Sequence, residues 1–233
     1  NNSSAYGYGK ALYLTGGTIA EVDNCTFYKN NGYYDDISVG GSNGGATLNL
    51  NNSTIKGCGY TSQSIKGFWG TANIKNSTIN GAIEVSNGSI GLTANIDNSL
   101  LTNLNISQFT DTSKVHVKYS ILNNVLYGAS KNDTVNAAVS NYNSWLDTVV
   151  CNNGGFMKTM RLKKTSNNPA KVKGNPLYLG TTDERGALRM DSVSIGAYQW
   201  VKPTGISITP NPITLNNGDS INIVVSVLPS LVS

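Results

Sequence analysis

Charged side chains are scarce in this chain of 233 residues. They make up 13% of it, against about 25% in an ordinary soluble domain, and the net charge of +4 is spread along the sequence. Arginine occurs only at Arg161, Arg185 and Arg189. A nucleic-acid surface needs clustered basic side chains, so we expect no nucleic-acid partner.

The chain is also poor in metal-binding side chains and in long apolar runs. It has one histidine, His116, and three cysteines, Cys25, Cys58 and Cys151, without the CxxC spacing of a zinc site. Cys58 and Cys151 pair only if the fold brings them together, which the sequence leaves open. It contains no signal peptide and no apolar stretch long enough for a transmembrane helix. Because the first residues already lie within a repeat pattern, we expect a fragment of a longer, exported protein.

The sequence has a repeated phrase instead. Residues 47–55 (TLNLNNSTI) recur as residues 71–79 (TANIKNSTI) and 93–101 (TANIDNSLL), with looser copies at 19–27 and 114–122. The residues that follow the strand in these copies are Asn24, Asn52, Asn76, Asn98 and Tyr119, so the steps are 28, 24, 22 and 21 residues. No segment shows sustained helical periodicity. A period of twenty-odd residues is typical of a solenoid.

Within one copy, the apolar residues alternate with polar ones. Leu48 and Leu50 alternate with Asn49 and Asn51, which is the period of a β-strand. The same parity places Asn52 inward with the leucines. A buried amide must be hydrogen-bonded, so we predict an asparagine ladder through the stacked coils at the positions equivalent to Asn52. A second apolar pair in each period predicts two or three short strands per coil.

The repeat and two further segments of the chain resemble a known family. The segments 9–14 (GKALYL) and 23–30 (DNCTFYKN), together with the repeat, are similar to the right-handed parallel β-helix of the pectate-lyase-like superfold, found in many secreted bacterial proteins. The resemblance covers residues 5–200 and implies an all-β solenoid of 21–28-residue coils. It also implies an extracellular or bacterial cell-surface location, and a saccharide site on the outer face of the repeated strand.

The sequence pattern changes after residue 167. The runs DERGALR (183–189) and IGAY (195–198) are similar to the last coil of such proteins. We therefore predict a β-helix over residues 1–200, closed by a terminal coil at 167–200 in which Tyr198 and Trp200 cover the open end of the core. The alternative is an active site formed by Asp183, Arg185 and Arg189.

Residues 201–233 resemble the first strands of a bacterial immunoglobulin-like (group 2) domain. A complete sandwich of this kind needs about 100 residues, so the domain is predicted to be incomplete. We expect three short strands, at 206–208, 213–215 and 221–227, without a closed core, either docked on the helix or mobile.

The outward positions of the repeated strand form two columns, whose neighbours are expected about 5 Å apart. The first column is Glu21, Asn49, Asn73, Asn95 and His116, and the second is Asp23, Asn51, Lys75, Asp97 and Lys118. A calcium-assisted lyase needs two or three carboxylates and a basic side chain, and a glycosidase needs a carboxylate pair. The catalytic candidates are Lys75, Asp97 and Lys118, and the pair of Glu21 and Asp23. Ordinary cross-strand charge pairing is the competing interpretation.

Aromatic side chains lie in the loops beside these columns. Tyr33, Tyr34, Asp35 and Asp36 occupy the longest early loop, and Trp69 follows in the next one. Aromatic rings above an asparagine-rich face favour glycan binding, which makes these residues and the Asn49, Asn73, Asn95 and His116 column the predicted ligand contacts. Packing of the loops is the alternative.

The sequence therefore favours a non-catalytic, secreted or cell-surface β-helix module that presents a polar face to a polysaccharide or glycan. It is expected to be a monomer without a cofactor. The alternatives are a polysaccharide lyase or glycoside hydrolase of the pectate-lyase-like kind, with calcium needed in the lyase, and a purely structural stalk.

Overall fold

The copies of the repeated phrase stack as parallel strands in register. The computed structural model describes residues 3–4, 11–32, 35–41, 44–57, 63–85, 91–106, 115–126, 142–210 and 213–228. In it, Asn49 pairs with Asn73, and Asn73 pairs with Asn95. These strands form the first wall of a solenoid. They are Ile19–Asp23, Ala46–Asn51, Trp69–Lys75, Gly91–Asp97 and Val115–Lys118.

Two further walls complete each coil. The second wall contains Thr26–Tyr28 and Thr54–Lys56, and the third contains Leu12–Leu14, Ile37–Val39 and Gln63–Gly67. Three longer strands run through both walls, and the pairing of the first of them with its neighbours shifts register between the two walls. They are Thr78–Val85, Leu100–Ile106 and Ile121–Leu126. The predicted all-β parallel solenoid is confirmed, with about four turns.

The core fills the space between the three walls. Each wall contributes the inward side chains of its strands, such as Leu50 from the first, Ile79 from the second and Ile83 from the third, all fully buried. The strand Ala46–Asn51 alternates between buried and half-buried side chains along its whole length. The alternation read from the sequence therefore sets which face of the first wall meets the core.

The asparagines that follow the first-wall strands adopt left-handed backbone. The φ angle is 44° at Asn52 and 49° at both Asn76 and Asn98, a region that asparagine tolerates better than most residues. The side-chain amide of Asn98 donates to Asn76 Oδ1 at 2.8 Å, which confirms the ladder of buried asparagines at this rung, and Asn76 Nδ2 in turn donates to Asn51 Oδ1 at 3.1 Å. Because the chain turns here, Asn98 Oδ1 also accepts the backbone N–H of Asn175 at 2.9 Å. The amides therefore lie between the solenoid and the C-terminal segment and not among the core leucines, and Asn24 is exposed.

The small residue after each asparagine forms a second ladder. The hydroxyls of Ser53, Ser77, Ser99 and Ser120 each donate to the carbonyl two residues earlier, at 2.7–2.8 Å. Each also accepts the backbone N–H of the equivalent residue in the preceding turn, at 3.0–3.3 Å. Cys25 occupies the first rung, and within the described residues no N–H donates to its sulfur.

Replacing Ser99 with alanine is expected to lower the free energy of unfolding by about 1–3 kcal/mol, because the buried N–H of Ser77 loses its acceptor. Replacing Cys25 with serine is the matched control and should change stability by less than about 0.5 kcal/mol, since the new hydroxyl takes over the bond to Asp23 O. Urea denaturation followed by circular dichroism measures both. Equal changes in the two variants would show that the serine hydroxyls do not hold successive turns of the solenoid in register.

The flank segment, residues 142–200, packs against the side of the solenoid. Its regular elements are the helix Tyr142–Trp145, the antiparallel strands Cys151–Asn152 and Lys158–Thr159, and the 3₁₀ helices Pro169–Lys171 and Pro176–Tyr178. It bonds to equivalent positions of successive turns: Glu184 to Thr26 and Thr54, and Ala197 N–H to Thr78 Oγ1 at 2.9 Å. The segment thus runs along the stack of turns.

A second apolar cluster joins the flank segment to the solenoid. Leu100 and Ile121, on the outer side of the second wall, pack with apolar residues of the flank segment that include Tyr198, and Trp200 packs against the same cluster. Tyr198 and Trp200 were predicted to cover the open end of the core. They instead contact the side of the solenoid, because the flank segment runs across the turns.

The C-terminal residues form a two-stranded antiparallel sheet of Gly205–Thr209 and Val224–Leu228. The strand predicted at 206–208 is present, residues 213–215 form none, and the last strand begins at Val224 and not at Ile221. Ile206 and Val225 are 67% and 62% exposed, so this sheet lacks a core on which a further strand would pack.

At the N-terminal end of the described residues, the short strand Ser3–Ser4 pairs in parallel with Asn31–Gly32.

Candidate functional site

A chain of side-chain amides runs across the outer face of the first wall. Asn95 Nδ2 donates to Asn73 Oδ1 at 2.8 Å, and Asn73 Nδ2 donates to Asn49 Oδ1 at 2.7 Å. Asn49 Nδ2 donates to Glu21 Oε1 at 2.6 Å, so all the donors point toward the N-terminal turn. The pairing of His116 with Asn95 completes the predicted first column. Bonds in such a chain polarise one another, with the Glu21 carboxylate as the final acceptor.

The second column is built differently, around Asp97. Asp97 is only 7% exposed. It accepts hydrogen bonds from Asn175 Nδ2 at 3.0 and 3.1 Å and from the Tyr178 hydroxyl at 2.9 Å, and its Oδ2 lies 3.4 Å from Lys118 Nζ. Burial raises the pKa of Tyr178, and its hydrogen bond to Asp97 and the negative charge of that residue raise it further. Asp97, a predicted catalytic candidate, therefore anchors the 3₁₀ helix of the flank segment and has no open side for a substrate.

A groove of about 500 Å³ lies between the amide chain and this 3₁₀ helix. The first wall forms its floor, and the flank segment forms its side. Its polar and aromatic lining includes Glu21, Asn49, Asn73, Lys75, Tyr178 and Thr181. The groove thus combines repeated amides with one carboxylate, one ammonium group and one tyrosine.

The other predicted contacts are scattered. Trp69 is half-buried on the first-wall strand that carries Asn73, and strand parity places both on the outer face. Asp35 and Asp36, which were predicted as ligand contacts, are fully buried and cannot contact a surface ligand. Tyr33 and Tyr34 lie outside the described residues, and His116 is exposed at the end of the amide column.

Sequence reasoning missed Tyr178 and Thr181. An Asn-Pro pair indicates a turn, and Asn175 indeed caps the 3₁₀ helix by accepting Leu177 N–H at 3.1 Å. The pair does not show which turn of the solenoid the helix contacts. That depends on Asp97, 78 residues before Asn175.

The remaining candidate carboxylates, Glu21 and Asp23, give limited support to a catalytic site. Glu21 and Asp23 are exposed two residues apart on one strand, about 7 Å from each other by strand geometry. Glu21 lines the groove and accepts from Asn49, whereas Asp23 accepts from Asn51 at 2.9 Å. Within the described residues, no group of three or more His, Cys, Asp or Glu side chains is arranged to hold a metal ion.

Comparisons with protein-family models, curated proteins and solved structures give no match. In the described part of the chain, no helix has the length and apolar character needed to cross a membrane. The function must therefore be inferred from the groove itself.

Proposed function

We propose that the chain is a non-catalytic module of a secreted or cell-surface protein, and that it binds a polysaccharide in the groove on the first wall. The observation that carries the proposal is the lining of this groove, in which the amides of Asn49 and Asn73 repeat from turn to turn beside the ring of Tyr178. Repeated hydrogen-bonding groups suit a ligand that is itself a repeating chain.

The amide chain of the outer face keeps hydrogen-bonding capacity for a ligand. An asparagine side chain has two N–H donors and an oxygen with two lone pairs, and the bonds within the chain use one donor and one lone pair of Asn73. Adjacent turns place equivalent amides about 4.8 Å apart. Among the described residues, the groove lining has one carboxylate, Glu21, and one ammonium group, Lys75, and this balance favours neutral sugar hydroxyls over strongly charged groups.

The groove predicts a specific pattern of binding defects. Lys75→Ala and Tyr178→Ala should each weaken binding of a responsive polysaccharide about tenfold. Lys118→Ala, in the same column but not among the groove-lining residues, should leave affinity unchanged. Tyr178→Phe keeps the ring and should bind nearly as well as the native chain. Calorimetry against a panel of neutral and acidic polysaccharides measures all four.

The same panel distinguishes the alternatives. Release of reducing or unsaturated ends, with or without calcium, would indicate a polysaccharide lyase or glycosidase of the pectate-lyase-like kind. The carboxylate pair of Glu21 and Asp23 favours the glycosidase among these enzymes. Loss of product release in Glu21→Gln or Asp23→Asn would identify this pair as the catalytic one. Neither binding nor product across the panel would contradict the proposal and leave a structural stalk.

A further inference from the structure

A tryptophan lies between two glycines on the outer face of the first wall. Trp69 pairs with Gly91 in the following turn, and the pairing of Gly70 with Ala46 places Gly45 opposite Trp69 in the preceding turn. A methyl group added to Gly45 would lie 3.4 Å from both Cδ1 and Nε1 of the indole, so the ring extends over the Gly45 backbone. The strand neighbours of Trp69 therefore present backbone and no side chain to the ring.

The backbone floor beside the indole continues into the turn before. The N–H of Gly17 donates to Gly45 O at 2.6 Å, and a methyl group added to Gly44 would lie 3.8 Å from Gly16 Cα. Gly16 and Gly17 are exposed, and within the described residues no atom lies within 4 Å of a methyl group added to Gly17. We call Trp69 and this floor of four glycines the shelf.

Polar groups lie next to the shelf on the same face. Thr47 and Thr71 pair in register two residues after Gly45 and Trp69, and both are half-buried on the outer face. An aromatic ring beside hydroxyls and peptide groups suits a ligand that is apolar on one face and polar at its edge. A pyranose ring has this character, because its C–H groups form a face and its hydroxyls lie around the edge.

We propose that the shelf binds one pyranose ring of a neutral saccharide, with a C–H face of the sugar stacked on the Trp69 indole. The glycine floor leaves room for the ring, and the two threonine hydroxyls lie where the sugar hydroxyls would bond. Sugars with equatorial hydroxyls, such as glucose and xylose, suit the shelf best because both of their faces consist of C–H groups. Trp69 and Lys75 lie at opposite ends of one strand, about 20 Å apart. The shelf is therefore a second site and does not depend on the groove or on the proposed function.

The test uses cellobiose and xylobiose, which are too short to contact the shelf and the groove at once. Titration of the whole chain with either disaccharide should shift the indole N–H resonance of Trp69, which the spectrum of Trp69→Phe identifies, more than those of Trp145 and Trp200. Gly45→Val places a branched side chain against the ring and should raise the Kd at least about tenfold. Gly205→Val is the matched control, because a side chain at Gly205 also meets open space, and it should bind as the native chain does.

Two further variants separate the shelf from the groove and from a purely structural tryptophan. Lys75→Ala should leave the Kd for cellobiose unchanged, whereas Trp69→Ala, measured by calorimetry, should raise it about tenfold or more. An indole can also serve only to cover a glycine backbone. A Trp69→Ala variant that is less stable but binds cellobiose as the native chain does would establish that role and overturn the proposal. Equal weakening in Gly45→Val and Gly205→Val, loss of binding in Lys75→Ala, or no shift of the Trp69 resonance with either disaccharide would also overturn it.

Discussion

Replacing Arg185 with leucine is expected to lower the free energy of unfolding by about 3–5 kcal/mol. Arg185 NH2 lies 2.9 Å from Asp183 Oδ2, and both side chains are fully buried. The guanidinium also donates to the carbonyl oxygens of Asn153 and Gln199, each at 2.7 Å, and stacks 3.8 Å from the centre of the Tyr198 ring. It therefore joins three parts of the flank segment.

The expected loss comes mainly from what the substitution leaves behind. Asp183 also accepts the backbone N–H groups of Arg185, Ala187 and Gln199, each at 2.8 Å, so its carboxylate stays in place when the guanidinium is removed. A buried charge without its counter-ion costs several kcal/mol. The burial of both side chains also argues against an active site at Asp183, Arg185 and Arg189, since Arg189 is itself 0% exposed.

Arg161→Leu is the matched control. Arg161 Nε lies 3.1 Å from Asp147 Oδ2, but the Arg161 side chain is 46% exposed, and exposed pairs contribute about 0–1 kcal/mol. Urea denaturation of both variants should separate them by at least about 2 kcal/mol. Similar losses in the two variants would mean that the buried pair does not hold the flank segment in place.

The sequence predicted the solenoid because the information is local and repeated. The alternation of Leu48 and Leu50 with asparagines fixes a strand and its inward face, and each copy stacks on an equivalent copy. The sequence also contained a sign of the flank segment. Leu100-Leu101 and Ile121-Leu122 are consecutive apolar pairs where earlier turns have Thr54-Ile55, and a strand with apolar residues on both faces is buried on both. Leu100 and Ile121 indeed pack beneath the flank segment.

The groove was only half predictable. Its floor follows from the repeat, so the column of Glu21, Asn49 and Asn73 was identified correctly. Its side depends on Tyr178, whose partner Asp97 lies 81 residues earlier in the chain. Local pattern does not encode such a pairing, so nothing in the sequence indicated that Asp97 accepts hydrogen bonds from Asn175 and Tyr178 of the flank segment.

Glu184 is the second residue of the flank segment whose chemistry predicts a large effect. It is 3% exposed, and its carboxyl bridges two turns by contacting the hydroxyls of Thr26 and Thr54. Thr26 Oγ1 lies 2.6 Å from the carbonyl oxygen of Lys158, which only accepts, and 2.9 Å from Glu184 Oε1. Thr26 has a single hydroxyl proton for these two acceptors, so the Glu184 carboxyl receives only a shared hydrogen bond from it.

The raised pKa of Glu184 favours a neutral carboxyl in the folded chain near neutral pH. Burial raises it from the ordinary 4.5 to about 8, and the charge of Asp183 adds to the rise, against hydrogen bonds from Thr54 and Thr26 that lower it. Among the groups that face it, Asp183 is neutralised by Arg185, and Cys25 has its own pKa raised above 9.0, mainly by burial. Glu184 is therefore the group that titrates at this contact near neutral pH.

Stability should therefore fall as the pH rises from 4.5 to about 8. In this window the folded chain retains the Glu184 proton and the unfolded chain has lost it. The stabilisation contributed by the protonated Glu184 is therefore fully present below pH 4.5 and is lost as the pH rises through the folded pKa. The slope is at most about 1.4 kcal/mol per pH unit. Glu184→Gln removes the titration and keeps the geometry, because its amide can donate to Thr26 and accept from Thr54.

Urea denaturation at intervals from pH 5 to about pH 9 would compare the variant with the native chain across this range. We expect equal stability at the acidic end and a variant more stable by several kcal/mol at the alkaline end, where the native chain must bury a charge or release the contact. Taking the difference between the two proteins cancels every other titrating group. Glu84→Gln, which alters a partly exposed carboxylate paired with Lys66, is the matched control for the loss of a carboxylate. Parallel pH profiles for Glu184→Gln and the native chain would show that Glu184 is already charged in the folded protein.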